Sequence, residues 1–197
     1  MGAMVRCRRM LARFPVLETK HLRLSLPGAR AAEAVLEYYL RNQIHLAPWE
    51  PRRGPDFFTV AFWAKQLEAA QGEYRRDVGT RLILAQKSEP ERVIGVANLS
   101  NFVRGSFQAC HLGYSLDAEL QGQGLMAEAL KEVIRFAFED LGLHRIMANY
   151  QPHNDRSARV LERLGFIREG FAKDYLYIDG AWRDHVLTAL VRTGSIF

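Results

Sequence analysis

The stretch from Ala109 to Leu141 constrains this chain most, because it fixes three consecutive pieces of backbone. Ala109 to Leu116 has strand-type composition. A short acidic connector follows, then the turn Gln121-Gly122-Gln123-Gly124, then about four turns of helix. In the helical part Leu125, Ala129, Val133, Phe136 and Ala137 recur at three- and four-residue steps, the period of a stripe that must be buried.

The glycine turn is where chemistry can enter. The first turn of a helix leaves backbone N–H groups without intrahelical partners, and the helix dipole adds partial positive charge there. Gly122 and Gly124 carry no Cβ, so a phosphate can come close to those amides, and Gln121 to Ala127 can cradle a diphosphate without Lys or Arg. A plain turn into a helix is the competing reading on spacing alone. The spacing Gly122-x-Gly124-x-x-Ala127 also matches the dinucleotide fingerprint, but its context does not. Asp117 to Leu120 separate the glycines from the strand, and the next expected strand, Arg145 to Tyr150, ends in Asn149-Tyr150 instead of an acid. A P-loop is excluded because no Gly-Lys-Ser/Thr follows.

Length and composition narrow the class further. A chain of 197 residues with 48% hydrophobic and 25% charged residues is expected to be one globular domain. No apolar run approaches the ~18 residues of a membrane span. Cys7 and Cys110 propose neither a disulfide framework nor a metal site, and the six histidines show no zinc spacing. The net charge is +5, of which Arg6, Arg8, Arg9 and Arg13 supply four. Residues 1–14 are therefore expected to be a basic tail, and residues 15–197 the domain. Arg13 interrupts the short apolar run Met10-Leu11-Ala12, which is too brief for a signal peptide.

In chain order, His21–Leu26 alternates as a strand and Ala31–Asn42 reads as a helix. The loop Leu46–Asp56 holds three prolines. A helix is expected over Phe57–Tyr74, then a hairpin of Thr80–Gln86 and Val93–Phe102 across Ser88–Glu91. Beyond the central helix come a strand at Arg145–Tyr150 and a short helix at Asp155–Leu164 closed by Gly165. Extended segments follow at Phe166–Phe171 and Asp174–Ile178, and Asp179-Gly180 turns the chain into Trp182–Val191. The order β-α-α-β-β-β-α-β-α-β-β gives an α/β domain.

The turn Gln121-Gly122-Gln123-Gly124 resembles the acyl-CoA loop of the GNAT superfamily of N-acetyltransferases, Q/R-x-x-G-x-G/A, with Met126 in the sixth position. Met there is similar to the RimJ/RimL branch. The resemblance extends over roughly residues 15 to 191, through Pro48-Trp49-Glu50-Pro51, Ile94-Gly95-Val96-Ala97-Asn98, Val103-Arg104-Gly105-Ser106-Phe107, His144 to Tyr150, Ala172 to Leu176 and Trp182 to His185. It implies a single GNAT-type domain, a mixed and mostly antiparallel sheet flanked by helices, with splayed central strands. It implies acetyl-CoA as cofactor, a protein N-terminus as acceptor (the alanine terminus of a ribosomal small-subunit protein) and a cytoplasmic location. For such a protein the basic tail would make a weak ribosome or RNA contact. An acetyltransferase for a small-molecule amine or lysine, and a non-catalytic assembly factor of the same fold, are the alternatives.

The resemblance also assigns residues. Tyr114, Ser115 and Leu116 would offer main-chain groups to pantetheine and the thioester. Gln121, Gly122, Gln123, Gly124, Leu125, Met126 and Ala127 would hold the diphosphate. Asn154 reads independently as an N-cap; with Ser157 it matches the N-x-x-S pattern, whose serine is implied to protonate the departing thiolate. Asp174 is implied as the base, with Glu50 second, and Asn149 stands where RimI-like relatives carry a glutamate. Trp49, Glu50 and Tyr175 would wall the acceptor cleft. An α-amino group, about 2.5 pKa units below lysine, needs roughly 3.4 kcal/mol less for deprotonation, which suits a site with a weak base. His111, in an apolar strand, reads as a hydrogen-bonded core or cleft histidine. Asp184 and His185 are neighbours on one strand and point to opposite faces, so they form no local dyad.

Overall fold

The computed structural model describes residues 14–193. The expected basic tail falls almost wholly outside the described residues. Eight strands form one sheet in the order β1-β2-β3-β4-β5-β6-β8-β7. They are β1 Val16–Glu18, β2 Leu22–Ser25, β3 Gly79–Gln86, β4 Glu89–Val103, β5 Ala109–Leu116, β6 Arg145–Met147, β7 Ile167–Ile178 and β8 Ala181–Val191. Every neighbouring pair is antiparallel except β5 and β6. The main helices are α1 Ala32–Arg41, α2 Val60–Arg75, α3 Leu125–Arg135 and α4 Asp155–Arg163.

Helix α3 buries the expected stripe. Leu125, Ala129 and Val133 lie inside together with Met126 and Leu130, and a π turn over Phe136–Asp140 continues the stripe through Phe136 and Ala137. Against it pack Leu82, Leu84, Ala97, Leu99, Cys110, Leu112 and Leu116 from the sheet, and Leu161 of α4. The opposite face of the sheet carries a second core under α1 and α2. Trp63 and Tyr39 stack there at 4.5 Å, above Ile83, Val93 and Val96. Alternation along β3 and β4 thus sends successive residues into different cores, as the period of a strand requires.

Several boundaries differ from expectation, each for a local reason. Helix α2 starts at Val60, because Thr59 caps it by accepting the Phe62 N–H at 3.2 Å, after a 3-10 turn at Pro55–Phe58. The β3–β4 turn is tighter than expected, with Gln86 opposite Glu89 and Pro90 inside the exposed end of β4. β1 had no clear alternation signal, being only three residues long. β7 is continuous; its register shifts between Ala172 and Leu176, where Asp174 takes φ 47°. The most consequential difference is β6, which ends at Met147, so that Tyr150 makes only an isolated bridge to Val186.

Candidate active site

The glycine turn enters α3 through left-handed backbone at Gly122 (φ 79°) and Gly124 (φ 80°). No side chain among the described residues caps the helix, and its first internal bond runs from Glu128 N–H to the Gly124 carbonyl at 3.0 Å. The amides of Leu125, Met126 and Ala127 therefore have no partner within the helix. A Cβ placed on Gly122 or Gly124 would meet nothing within 4 Å, so the space above the turn is open. Met126 departs from the Gly/Ala pattern at no cost to this opening. Its side chain is buried in the α3 core, leaving only its amide at the helix mouth.

The end of α1 fixes this turn from below. Tyr38 Oη donates to Ser115 Oγ at 2.8 Å, and Arg41 Nε meets Asp117 Oδ2 at 2.8 Å. Asn42 Oδ1 accepts from Ala118 N–H at 2.9 Å, and His45 Nε2 lies 2.8 Å from Gln121 Nε2. The oxygen of the Gln121 carboxamide accepts a hydrogen bond from Arg156 of α4. Burial alone would raise the Asp117 carboxyl. The Arg41 hydrogen bond and charge, with the Glu119 N–H, outweigh it and hold the group below the usual carboxylate range.

Next to the turn the sheet opens. β5 and β6 pair only at Ala109↔Arg145, Cys110↔Ile146 and His111↔Met147. Beyond His111, β5 runs on to Leu116, whereas Ala148 and Tyr150 turn their N–H groups to the carbonyls of Thr188 and Val186 on β8. The edge of β5 from Leu112 to Leu116 therefore faces a gap instead of a strand. On the α3 side a hydrogen bond between Tyr114 Oη and Ser157 Oγ, 2.7 Å long, bridges the gap. Burial pushes the Tyr114 hydroxyl up to about 12, against a lowering by Ser157. Ser157 is set in place by Asn154, whose Oδ1 accepts its N–H at 3.0 Å as the cap of α4.

The other side of the gap has two walls. On one, Trp49 packs on His153 with ring centroids 5.2 Å apart, and Gln151 Nε2 donates to the Pro48 carbonyl at 3.0 Å. The Glu50 carboxylate meets Arg53 at 3.2 Å beside a hollow of about 260 Å³ lined by Tyr39, Leu46, Phe57 and Asp179. Asp179 N–H also donates to the Glu50 carbonyl at 3.1 Å, tying this loop to the β7–β8 turn. On the other wall, Tyr175 Oη accepts from Asn149 Nδ2 at 3.2 Å and its ring lies 5.4 Å from His185. Asp174 is exposed; its N–H donates to Asp184 Oδ1 at 2.9 Å, and no hydrogen bond among the described residues joins its carboxylate to the gap. A larger opening of about 670 Å³, behind α3 between Thr19, Glu128 and Phe138, contains none of these residues.

The structure thus gathers Tyr114, Ser115, Leu116, Asn154, Ser157 and the glycine turn around one opening. Trp49, Glu50 and Tyr175 stand on its approaches, and Asp174 stands apart. Sequence reasoning missed the row Tyr38, Arg41, Asn42 and His45, the Arg156 contact, and the bridging role of the Tyr114 side chain. The three- and four-residue spacing of that polar row was the available signal.

An uncapped helix mouth beside a strand gap can take a diphosphate with an extended thioester arm, and comparison with known sequences identifies the arrangement. Residues 21–167 match the acetyltransferase (GNAT) domain. The chain belongs to the GNAT family. Acetyl-CoA is the cofactor of these acetyltransferases, and the open glycines, free amides and strand gap fit it. Among relatives of this GNAT chain, the [ribosomal protein uS5]-alanine N-acetyltransferase of Escherichia coli is 48% identical over 88% of this chain and 89% of that protein. The ribosomal-protein-S5-alanine acetyltransferase of Vibrio fischeri superposes with a TM-score of 0.86 at 41% identity, covering 91% of this chain and 97% of that one. RimJ of Mycobacterium smegmatis, solved with a CoA-disulfide, gives 0.82 at 31% identity over 90% and 86%.

Proposed function

We propose that this GNAT enzyme transfers the acetyl group of acetyl-CoA to the α-amino group of a protein N-terminus, with an N-terminal alanine of a ribosomal small-subunit protein as its acceptor. The observation that carries this reading is the 48% identity, nearly end to end, with an enzyme named for that substrate. Acetyl-CoA supplies the activated acyl group and a thiolate leaving group. The amides of Leu125, Met126 and Ala127 would hold its diphosphate, and the free edge of β5 at Tyr114–Leu116 would direct main-chain donors at the carbonyl oxygen as charge builds there. Ser157, hydrogen-bonded to Tyr114, would give a proton to sulfur. Glu50 and Asp174, outside the gap, would favour the approach of a cationic terminus; Trp49 and Tyr175 would flank the first residues of the acceptor.

The same reading locates the protein with ribosomes in the cytoplasm and gives Arg6, Arg8, Arg9 and Arg13 a weak, salt-sensitive RNA contact. No helix among the described residues is long and apolar enough to cross a membrane. Mass spectrometry of N-terminal peptide panels incubated with the protein and acetyl-CoA tests the substrate. Acetylation of the α-amine of Ala-starting peptides, with lysines untouched, is expected. Modification of lysines or of small amines alone would overturn it.

A further inference from the structure

The register of β4 on β5 settles which residues look toward the acceptor walls. Val96 lies opposite Ser115, Asn98 opposite Gly113 and Ser100 opposite His111. Cross-strand partners share a face, and Val96 belongs to the α1/α2 core. Ser115, Gly113 and His111 therefore face the Trp49–Tyr175 side, while Tyr114 reaches Ser157 on the α3 side. Tyr38 of α1 covers Ser115, whereas the face is open at Gly113. Gly113 is exposed, and a Cβ on it would meet nothing within 4 Å. His111 is also the last β5 residue paired with β6, so it stands where the two strands part.

His111 is not the hydrogen-bonded histidine that its apolar strand implied. Among the described residues its Nδ1 is buried without a partner, as is the Oδ1 of Asn98 beside it on the same face. Buried polar atoms are nearly always paired; of the five orphans among the described residues, these two flank an open glycine, where an incoming group can pair with them. Burial alone lowers the pKa of His111, and no charged group contributes. The groups around it are uncharged Ser100 on β4 and Met147 on β6. His185 and Tyr175 lie beyond β6, and Arg81 is two strands away opposite Asn98. The ring is thus neutral near pH 7 and able to accept a proton.

We propose that His111 takes up the proton released by the attacking amine, directly or through one water above Gly113. The assignment rests on the acetyl-transfer reading above and completes it geometrically. In the tetrahedral adduct nitrogen and sulfur are separate substituents of one carbon, so the group that takes a proton from nitrogen and the group that gives one to sulfur need separate places, and here they lie on opposite faces of β5. As the C–N bond forms, nitrogen gives one proton to His111, which passes it to solvent. As the C–S bond breaks, sulfur keeps the bonding pair and takes a proton from Ser157, which Tyr114 and solvent restore.

The test compares wild type with His111→Gln, using acetyl-CoA and an Ala-starting peptide. A fall in kcat of about 100-fold or more, an unchanged KM for acetyl-CoA and loss of the acidic limb of the rate profile are expected. A variant with the wild-type kcat and pH profile overturns the proposal. A second measurement needs neither the variant nor turnover: in the free wild-type protein the His111 Cε1–H resonance is followed by NMR against pH. Its midpoint should coincide with the acidic limb of kcat/KM; a ring that stays neutral through that limb overturns the proposal even if His111→Gln does not fold. A wild type that acetylates lysine or a small amine would overturn the substrate reading alone, and His111 would be tested on that amine.

Discussion

Two glycines on the paired strands β4 and β5 should answer the same substitution in opposite ways. A Cβ on Gly95 would lie 2.6 Å from the Ser115 carbonyl oxygen and 3.3 Å from Leu116 Cδ1. The first contact is about 0.8 Å short of the 3.4 Å where ordinary packing begins, and it is made with main chain, which cannot rotate away. Gly95→Ala must therefore push Ser115 and Leu116 outward by most of that distance. Overpacking of this kind costs about 1–3 kcal/mol, or roughly 2–12 °C of Tm in a chain this long. The displaced segment is the edge of the strand gap, where a misplacement of about 1 Å can cost on the order of 100-fold in rate. Gly113→Ala adds the same methyl group into open space. It should leave Tm and the KM for acetyl-CoA unchanged and raise the KM for the peptide. Differential scanning calorimetry with two-substrate kinetics reads both. Wild-type Tm and acetyl-CoA affinity in Gly95→Ala would refute the packing argument, and wild-type peptide kinetics in Gly113→Ala would refute the placement of the acceptor.

Ser157→Ala should slow turnover without abolishing it, since a thiolate whose conjugate acid has a pKa near ~8.5 is already a tolerable leaving group; an unchanged single-turnover rate would reduce Ser157 to a helix residue. Gly124→Asp, forced into left-handed backbone and placing a carboxylate at the helix mouth, should abolish CoA binding by calorimetry, and normal affinity would contradict the cradle. Glu128 resists its partial burial through hydrogen bonds from His21 and Thr19, which hold its carboxyl at about 2, below the ordinary 4.5. The folded value is depressed, so the stabilisation is complete above pH 4.5 and fades as pH falls toward 2. Discounted for the exposed His21, it is about 2 kcal/mol. Urea unfolding of wild type and Glu128→Gln should therefore converge across that window, and parallel curves would show that the contact contributes nothing.

What the chain disclosed in advance was whatever local order dictates. The α3 stripe was legible because burial on one helix face imposes its own period, and the turn because only glycine accepts left-handed backbone cheaply at Gly122 and Gly124. The end of β6 was not legible. Ala148-Asn149-Tyr150 could continue a strand, and what stops it is β8 drawing off the amides of Ala148 and Tyr150. Tyr114 and Ser157, 43 positions apart, meet only after α4 has packed on α3. Arg41 and Asn42 at the end of α1, and His45 just beyond it, gave no signal of their contacts, because polar residues that grip a loop and polar residues that meet water have the same composition. His111 was misjudged for a related reason: sequence locates a residue on a strand but does not say whether a partner awaits it.

The seam between β5 and β6 is only three residue pairs wide, yet among the described residues it is the sole direct strand pairing between the halves β1–β5 and β6–β8. A molecule wedged along the fork above it would touch both halves at once and act as a crosspiece. The protein at rest is then a tuning fork joined at its stem, and cofactor loading should quiet the relative motion of its prongs before any acceptor arrives.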